Sequence, residues 1–127
     1  MRRGEIRWYK FSYPDKKRPV LILTRNSIIE LLEEVTIAPI TSTIRNIPSE
    51  VLLTKSDGMT KECAVNLDHL QTVSKNRIGN QITMLNQSKM FEVRSALLFA
   101  LGFIIKSNET KNIWMHKNSL PYPPRYK

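Results

Sequence analysis

The sequence predicts a mainly β fold with one C-terminal α-helix, built as a small, partly open β-barrel that the helix caps. Three observations predict it. Short apolar or alternating runs recur through the chain as far as residue 84. Turn-forming residues separate them. One longer segment, between Asn86 and Gly102, repeats apolar residues at helical spacing.

Residues 4–11 alternate, with Ile6 and Trp8 on one face and Glu5, Arg7 and Tyr9 on the other, which is strand periodicity. Pro14-Asp15-Lys16-Lys17 is a turn signal. Residues 19–24 are continuously apolar up to Thr24 and read as a strand buried on both faces. Asn26 is placed to cap a short helix through Glu33, on which Glu30, Glu33 and Glu34 would share a solvated arc. Residues 35–40 read as a strand in which Pro39 marks an edge or a bulge, because proline cannot donate to a ladder. Residues 41–48 are polar and read as a loop. Strands follow at 49–54, 62–67 and 80–84, with a turn at Asp57-Gly58.

The helix has both ends written into it. Asn86 suits the N-cap, Leu85 and Met90 suit a hydrophobic staple, and Gly102 suits the C-terminal stop. Met90, Val93, Leu97, Ala100 and Leu101 form the expected core stripe. Residues 104–127 are rich in Lys, Asn, Ser and Pro and read as a basic tail appended to a domain at 1–103.

At 127 residues the chain suits one domain, and its 41% hydrophobic content suits a real core. The longest apolar run, 96–105, is about half of what a membrane span needs. No signal-peptide h-region follows the N-terminus, so the expected location is cytoplasmic, away from membranes. A single cysteine, Cys63, excludes an internal disulfide and a cysteine-based zinc site. The formal net charge is +9, and it is concentrated at the two ends: residues 1–18 carry +5 and residues 104–127 carry +4. That excess favours a polyanionic partner, with nucleic acid first.

Phosphate-loop, dinucleotide and zinc-protease motifs are absent, and no cofactor or metal site is expected. What recurs is Arg, Thr, Ser and Asp where apolar strands meet turns. Arg18 opens one buried strand, Thr41-Ser42-Thr43 closes another with Arg45 close behind, and Asp68 ends a third. An arginine fork beside a hydroxyl is chemistry suited to a phosphate group. Lys16, Lys17, Arg45, Lys75 and Arg77 are candidate contacts to a nucleic-acid backbone, and Tyr13 a candidate stacking platform.

These blocks, taken in order, resemble a known family. Arg3-Gly4-Glu5-Ile6, then Arg18-Pro19-Val20-Leu21-Ile22-Leu23, then Ala38-Pro39-Ile40-Thr41-Ser42-Thr43-Ile44-Arg45 are similar to the MazF/PemK toxin endoribonucleases. Pro48-Ser49-Glu50-Val51, Asn66-Leu67-Asp68-His69-Leu70 with Thr72-Val73, and the terminal helix extend the resemblance over about residues 2–103. It implies an SH3-like barrel of the CcdB/MazF type, paired as a homodimer. It implies the toxin of a type II toxin–antitoxin pair, which cuts single-stranded RNA, mostly mRNA, at short motifs without a metal. It further implies an antitoxin that inserts an acidic segment into the RNA cleft. Arg18 and Thr41 map onto the cleavage-site positions, Asp68 is a candidate base, and Ser42, Arg45 and Gln71 fall in segments that line the groove. The loop before Arg18 is short here, and Asn66 and Gln71 stand where some relatives carry Arg. The rival readings are a CcdB-type gyrase poison and a non-catalytic RNA-binding module.

Overall fold

The computed structural model describes residues 1–11 and 16–103; the expected tail at 104–127 and Tyr13 lie outside them. Seven strands and two helices follow one another: β1 (Glu5–Lys10), β2 (Lys17–Ile22), α1 (Asn26–Ile29), β3 (Glu34–Thr41), β4 (Glu50–Leu53), β5 (Cys63–Asn66), β6 (Gln71–Ser74), β7 (Ile78–Met84) and α2 (Gln87–Ala100). Short 3-10 turns cover Lys55–Asp57, Leu67–His69 and Lys75–Arg77. The strands pair antiparallel in the order β4-β5-β3-β2-β1-β7, and β6 also pairs with β3. The sheet curls without closing, which is the expected partly open barrel.

The run at 19–24 is buried on both faces because β2 separates two apolar clusters. Leu21 and Leu23 enter one with Ile6, Val65, Val93 and Ala96, under α2. Val20 and Ile22 enter the other with Tyr9, Ile29, Val35 and Ile37. This second cluster changes the reading of β1. Tyr9 and Glu5 are buried, while Trp8, expected to accompany Ile6 inward, is 39% exposed. Glu5 tolerates burial because Arg7 Nε donates to its carboxylate at 2.6 Å.

Pro39 is neither on an outer edge nor at a register shift. β6 accompanies β3 as far as Ile37, and β5 takes over at Ile40. Pro39 occupies the handover between the two partners, where a missing N–H breaks no ladder bond. β6 was not expected, since Gln71-Thr72-Val73-Ser74 is short and polar; only Val73 is buried.

The helix after Asn26 stops at Ile29, and Arg25, not Asn26, is its N-cap. Asn26 instead accepts from the Arg3 main-chain N–H at 2.7 Å. The expected acidic arc is therefore not helical: Glu33 lies beyond α1 and Glu34 opens β3. In α2 the Asn86 side chain accepts from Lys89 N at 2.8 Å, as expected of a cap. At the other end Gly102 adopts φ +84, its N–H bonds Phe99 O, and Phe103 N–H bonds Leu98 O. That double bond is the Schellman stop, and it needs a residue at ease in the left-handed region. Leu101, expected in the stripe, is 54% exposed, whereas Ala96 is buried.

Candidate nucleic-acid interface

The first β2–β3 pair in the direction of the strand ends is Val20 with Pro39. Two residues further out on each strand stand Arg18 and Thr41. Side chains alternate along strands, so both belong to the face of Val20 and Pro39. The ladder thus presents the two residues together at one mouth of the barrel. Thr41 is half-buried at the end of β3, opposite Ala64 of β5. Its Oγ1 accepts the Thr43 main-chain N–H at 3.0 Å, which leaves the hydroxyl proton available to donate. Arg18 is exposed and sits opposite Tyr9 of β1.

Asp68 lies in the 3-10 turn between β5 and β6, which packs along β3 and against α2. Two neighbours orient it. The buried Ser49 donates from Oγ to Asp68 Oδ2 at 2.5 Å, and the Asp68 main-chain N–H donates to Asn66 Oδ1 at 3.0 Å. Asn66 is itself buried, and its Nδ2 lies 3.4 Å from His69 Nδ1. Ser49 and Asn66 thus hold Asp68 in place; the sequence analysis had them only as members of the resemblance blocks, Asn66 where some relatives carry Arg. Their bonds to Asp68 had no sequence signal, because a hydroxyl or an amide flanking an apolar strand is too common a pattern.

The proposed backbone contacts divide. Lys16, Lys17, Ser42 and Gln71 are exposed, the lysines beside Arg18 and Ser42 beside Thr41. Gln71 pairs with Ile37 in the middle of β3. Arg45 is tied to Glu50, through its main-chain N–H at 2.9 Å and Nη1 at 3.4 Å. Lys75 stands past the far end of β3 from Thr41, and its ammonium donates to Ile29 O at 2.8 Å and Leu32 O at 2.9 Å. Arg77 donates from Nε and Nη2 to Lys10 O at 2.9 and 2.5 Å, and its guanidinium lies 5.6 Å above the Tyr9 ring.

Cys63 is buried in the helix-side cluster. Burial, with Asp57 adding to it, pushes its thiol pKa up from the ordinary value, opposite to what a nucleophile requires. Among the described residues no group of three or more His, Cys, Asp or Glu could hold a metal ion. Nor is any helix among them long and apolar enough to cross a membrane.

Residues 2–101 match the family model described as PemK-like, MazF-like toxin of type II toxin-antitoxin system. Endoribonuclease MazF3 of Mycobacterium tuberculosis is 41% identical over 88 residues, covering 69% of this chain and 82% of its own. Probable endoribonuclease MazF2 of the same species is 32% identical over 103 residues, covering 80% of this chain and 99% of its own. The solved Mycobacterium tuberculosis toxin MazF-mt6 superposes with a TM-score of 0.71 at 35% identity, over 76% of this chain and 95% of that one. A mycobacterial endoribonuclease in complex with its cognate antitoxin superposes at 0.73 and 28% identity, over 80% and 95%.

Proposed function

The chain belongs to the PemK-like, MazF-like toxin family of type II toxin–antitoxin systems, and from that premise we propose how this endoribonuclease cuts single-stranded RNA. The RNA supplies its own nucleophile. The 2′-oxygen attacks the adjacent phosphorus, a 2′,3′-cyclic phosphate forms, and the 5′-oxygen leaves and takes a proton from solvent to become a hydroxyl. Such a reaction asks the protein for alignment and for charge stabilisation, and it needs no metal.

Arg18 binds the non-bridging oxygens of the scissile phosphate, where negative charge develops. Its guanidinium stays charged, so its role is electrostatic rather than that of a base. Thr41 donates a hydrogen bond from its hydroxyl to the same phosphate. Asp68, held by Ser49 and by its own main-chain bond to Asn66, accepts the 2′-hydroxyl proton or orients a base edge. Lys16 and Lys17 attract the backbone, and Ser42, Arg45 and Gln71 line the path. Lys75 and Arg77, whose cations already bond main-chain carbonyls, act on RNA only through the fold they brace. The observation that carries the reading is the shared face and end of Arg18 and Thr41 in the β2–β3 ladder.

The protein functions as a homodimer in the cytoplasm, and a cognate antitoxin with an acidic segment covers the cleft. The experiment is to incubate purified protein with a long single-stranded RNA and map the ends. Cyclic-phosphate and 5′-hydroxyl ends in the presence of EDTA are expected. Loss of cleavage in EDTA, or cleavage of a substrate with 2′-deoxyribose at the scissile position, would overturn the mechanism.

A further inference from the structure

A groove of about 580 Å³ follows the pairing of β1 with β7. That is within the roughly 300–1,000 Å³ typical of small-ligand sites. Trp8 lines it and is 39% exposed, although Ile6, two residues earlier, is wholly buried. The exposure has a local cause. Arg7 pairs with Gln81 and Tyr9 with Ile78, so Asn80 and Gly79 together face the single residue Trp8. A bulge of this kind re-aims the side chains around it.

Gly79 then leaves the indole uncovered. Its backbone is not in the left-handed region, so the chain geometry does not require glycine there. An added Cβ would meet Trp8 Cβ at 3.7 Å, an ordinary contact. The backbone at 79 therefore accepts a Cβ, which would lie against the base of the Trp8 side chain.

The rest of the lining suits a nucleotide. Lys17 supplies positive charge, Asn76 and Asn80 supply amides, and among the described residues none that lines the groove is a carboxylate. Arg77 is fixed in place by the Lys10 carbonyl. The β1–β2 register pairs Trp8 with Pro19 and Lys10 with Lys17, so Lys17 lies diagonally across from Trp8 on the same face. Lys17 also precedes Arg18, so the groove opens at the strand end that carries Arg18 but on the opposite face of the sheet, and RNA reaches both by passing round that end.

We propose that this groove is a nucleotide subsite that stacks one base of single-stranded RNA, flanking the cleaved bond, on Trp8 and holds its phosphate at Lys17. The subsite rests on the ribonuclease reading and extends it to a position beyond the scissile phosphate. An exposed indole beside amide groups suits a base face and edge, and is of less use to an acidic peptide.

The test uses the full chain carrying Trp114→Phe, so that Trp8 is the one tryptophan left. The probe is a single-stranded RNA of a mapped cleavage sequence with 2′-deoxyribose at the scissile position. Its binding quenches Trp8 fluorescence. By anisotropy, Trp8→Ala weakens binding about tenfold, the order expected for one lost stacking contact, and Trp8→Phe restores most of it. An abasic residue at one flanking position reproduces the loss in the parent chain and adds nothing in Trp8→Ala. Gly79→Val, which sets a side chain against the base of the Trp8 side chain, weakens binding in the same way and keeps the test open if Trp8→Ala folds poorly. With ribose restored, the loss falls on KM.

Unchanged binding in Trp8→Ala and Gly79→Val, or abasic losses that add to Trp8→Ala at every position, overturns the subsite. So does a loss confined to antitoxin binding. Failure of the ribonuclease reading looks different: the parent chain leaves ribose substrates intact, whether or not the indole is quenched.

Discussion

Lys16, Lys17 and Arg18 stand at the entry to β2 with exposed side chains that bond nothing among the described residues. Lys75 and Arg77 bracket the turn from β6 to β7, and their cations bond the carbonyls of Ile29, Leu32 and Lys10. Lys16, Lys17, Lys75 and Arg77 looked equivalent as basic residues near turns. The difference is topological. The turn at Lys75–Arg77 crosses from β6, on one side of the sheet path, to β7 on the other, and it passes the end of β1, the end of α1 and the segment that follows α1, whose carbonyls accept from its cations. A long cationic side chain satisfies those carbonyls at a distance. Among the described residues the entry to β2 meets no such carbonyls, which leaves its charges open to a polyanion. Net charge therefore says little about binding until the share already bonded within the protein is removed from it.

Four experiments break or sharpen that contrast. The largest effect is expected for Arg18→Ala, which should lower kcat/KM for RNA cleavage by about 100- to 1,000-fold, or roughly 2–4 kcal/mol of transition-state stabilisation. Its melting temperature should stay near that of the parent chain, because the exposed side chain braces nothing. A variant that melts early would move Arg18 into the structural set.

Lys75→Met should do the reverse. It leaves two main-chain carbonyls without their charged donor and should cost about 1–3 kcal/mol of stability, read by thermal or urea unfolding. Below the new melting point its cleavage rate should hold. A stable variant with weakened RNA binding would transfer Lys75 to the RNA-binding set.

Lys17→Gln should change mainly the salt dependence. The slope of log binding constant against log salt should become shallower by about 0.7, the value for one phosphate contact on a single strand. An unchanged slope would show that Lys17 contacts no phosphate.

The smallest effect concerns Cys63, whose thiol pKa is raised by burial. The folded chain holds that proton longer than the unfolded chain does. The stability it contributes is therefore fully present below the ordinary thiol pKa and declines as pH rises through it. Cys63→Ala should flatten that alkaline decline in urea unfolding measured between neutral pH and about pH 10. An equal decline in both proteins would place the loss elsewhere.

Local patterns were legible where one physical rule acted alone. The α2 ends followed from Asn86 and Gly102, since a cap bond and a left-handed stop depend on a few adjacent residues. The double burial of β2 followed from its unbroken apolar run. Arg18 and Thr41 stood out because they end such runs. The readings that failed were set by contacts distant in sequence. α1 ends at Ile29, and the chain beyond it runs into β3, which pairs with Ser74. Gln71-Thr72-Val73-Ser74 is a strand because β3 offers it an edge. Trp8 and Tyr9 exchange their expected environments because a second core lies beneath β1 and a bulge in β7 opens beside Trp8.

By itself, the sequence determined the class of fold, the boundaries of its long helix and the residue types suited to a phosphate. Those depend on periodicity and on neighbours a few positions apart. Only the tertiary structure decided that Arg18 and Thr41, 23 residues apart in the chain, share one face and one end of a ladder. It also decided which cations bond main-chain carbonyls and which remain open, and that an indole lies uncovered beside Lys17. Each of these depends on strand register, and register is chosen by the whole core at once.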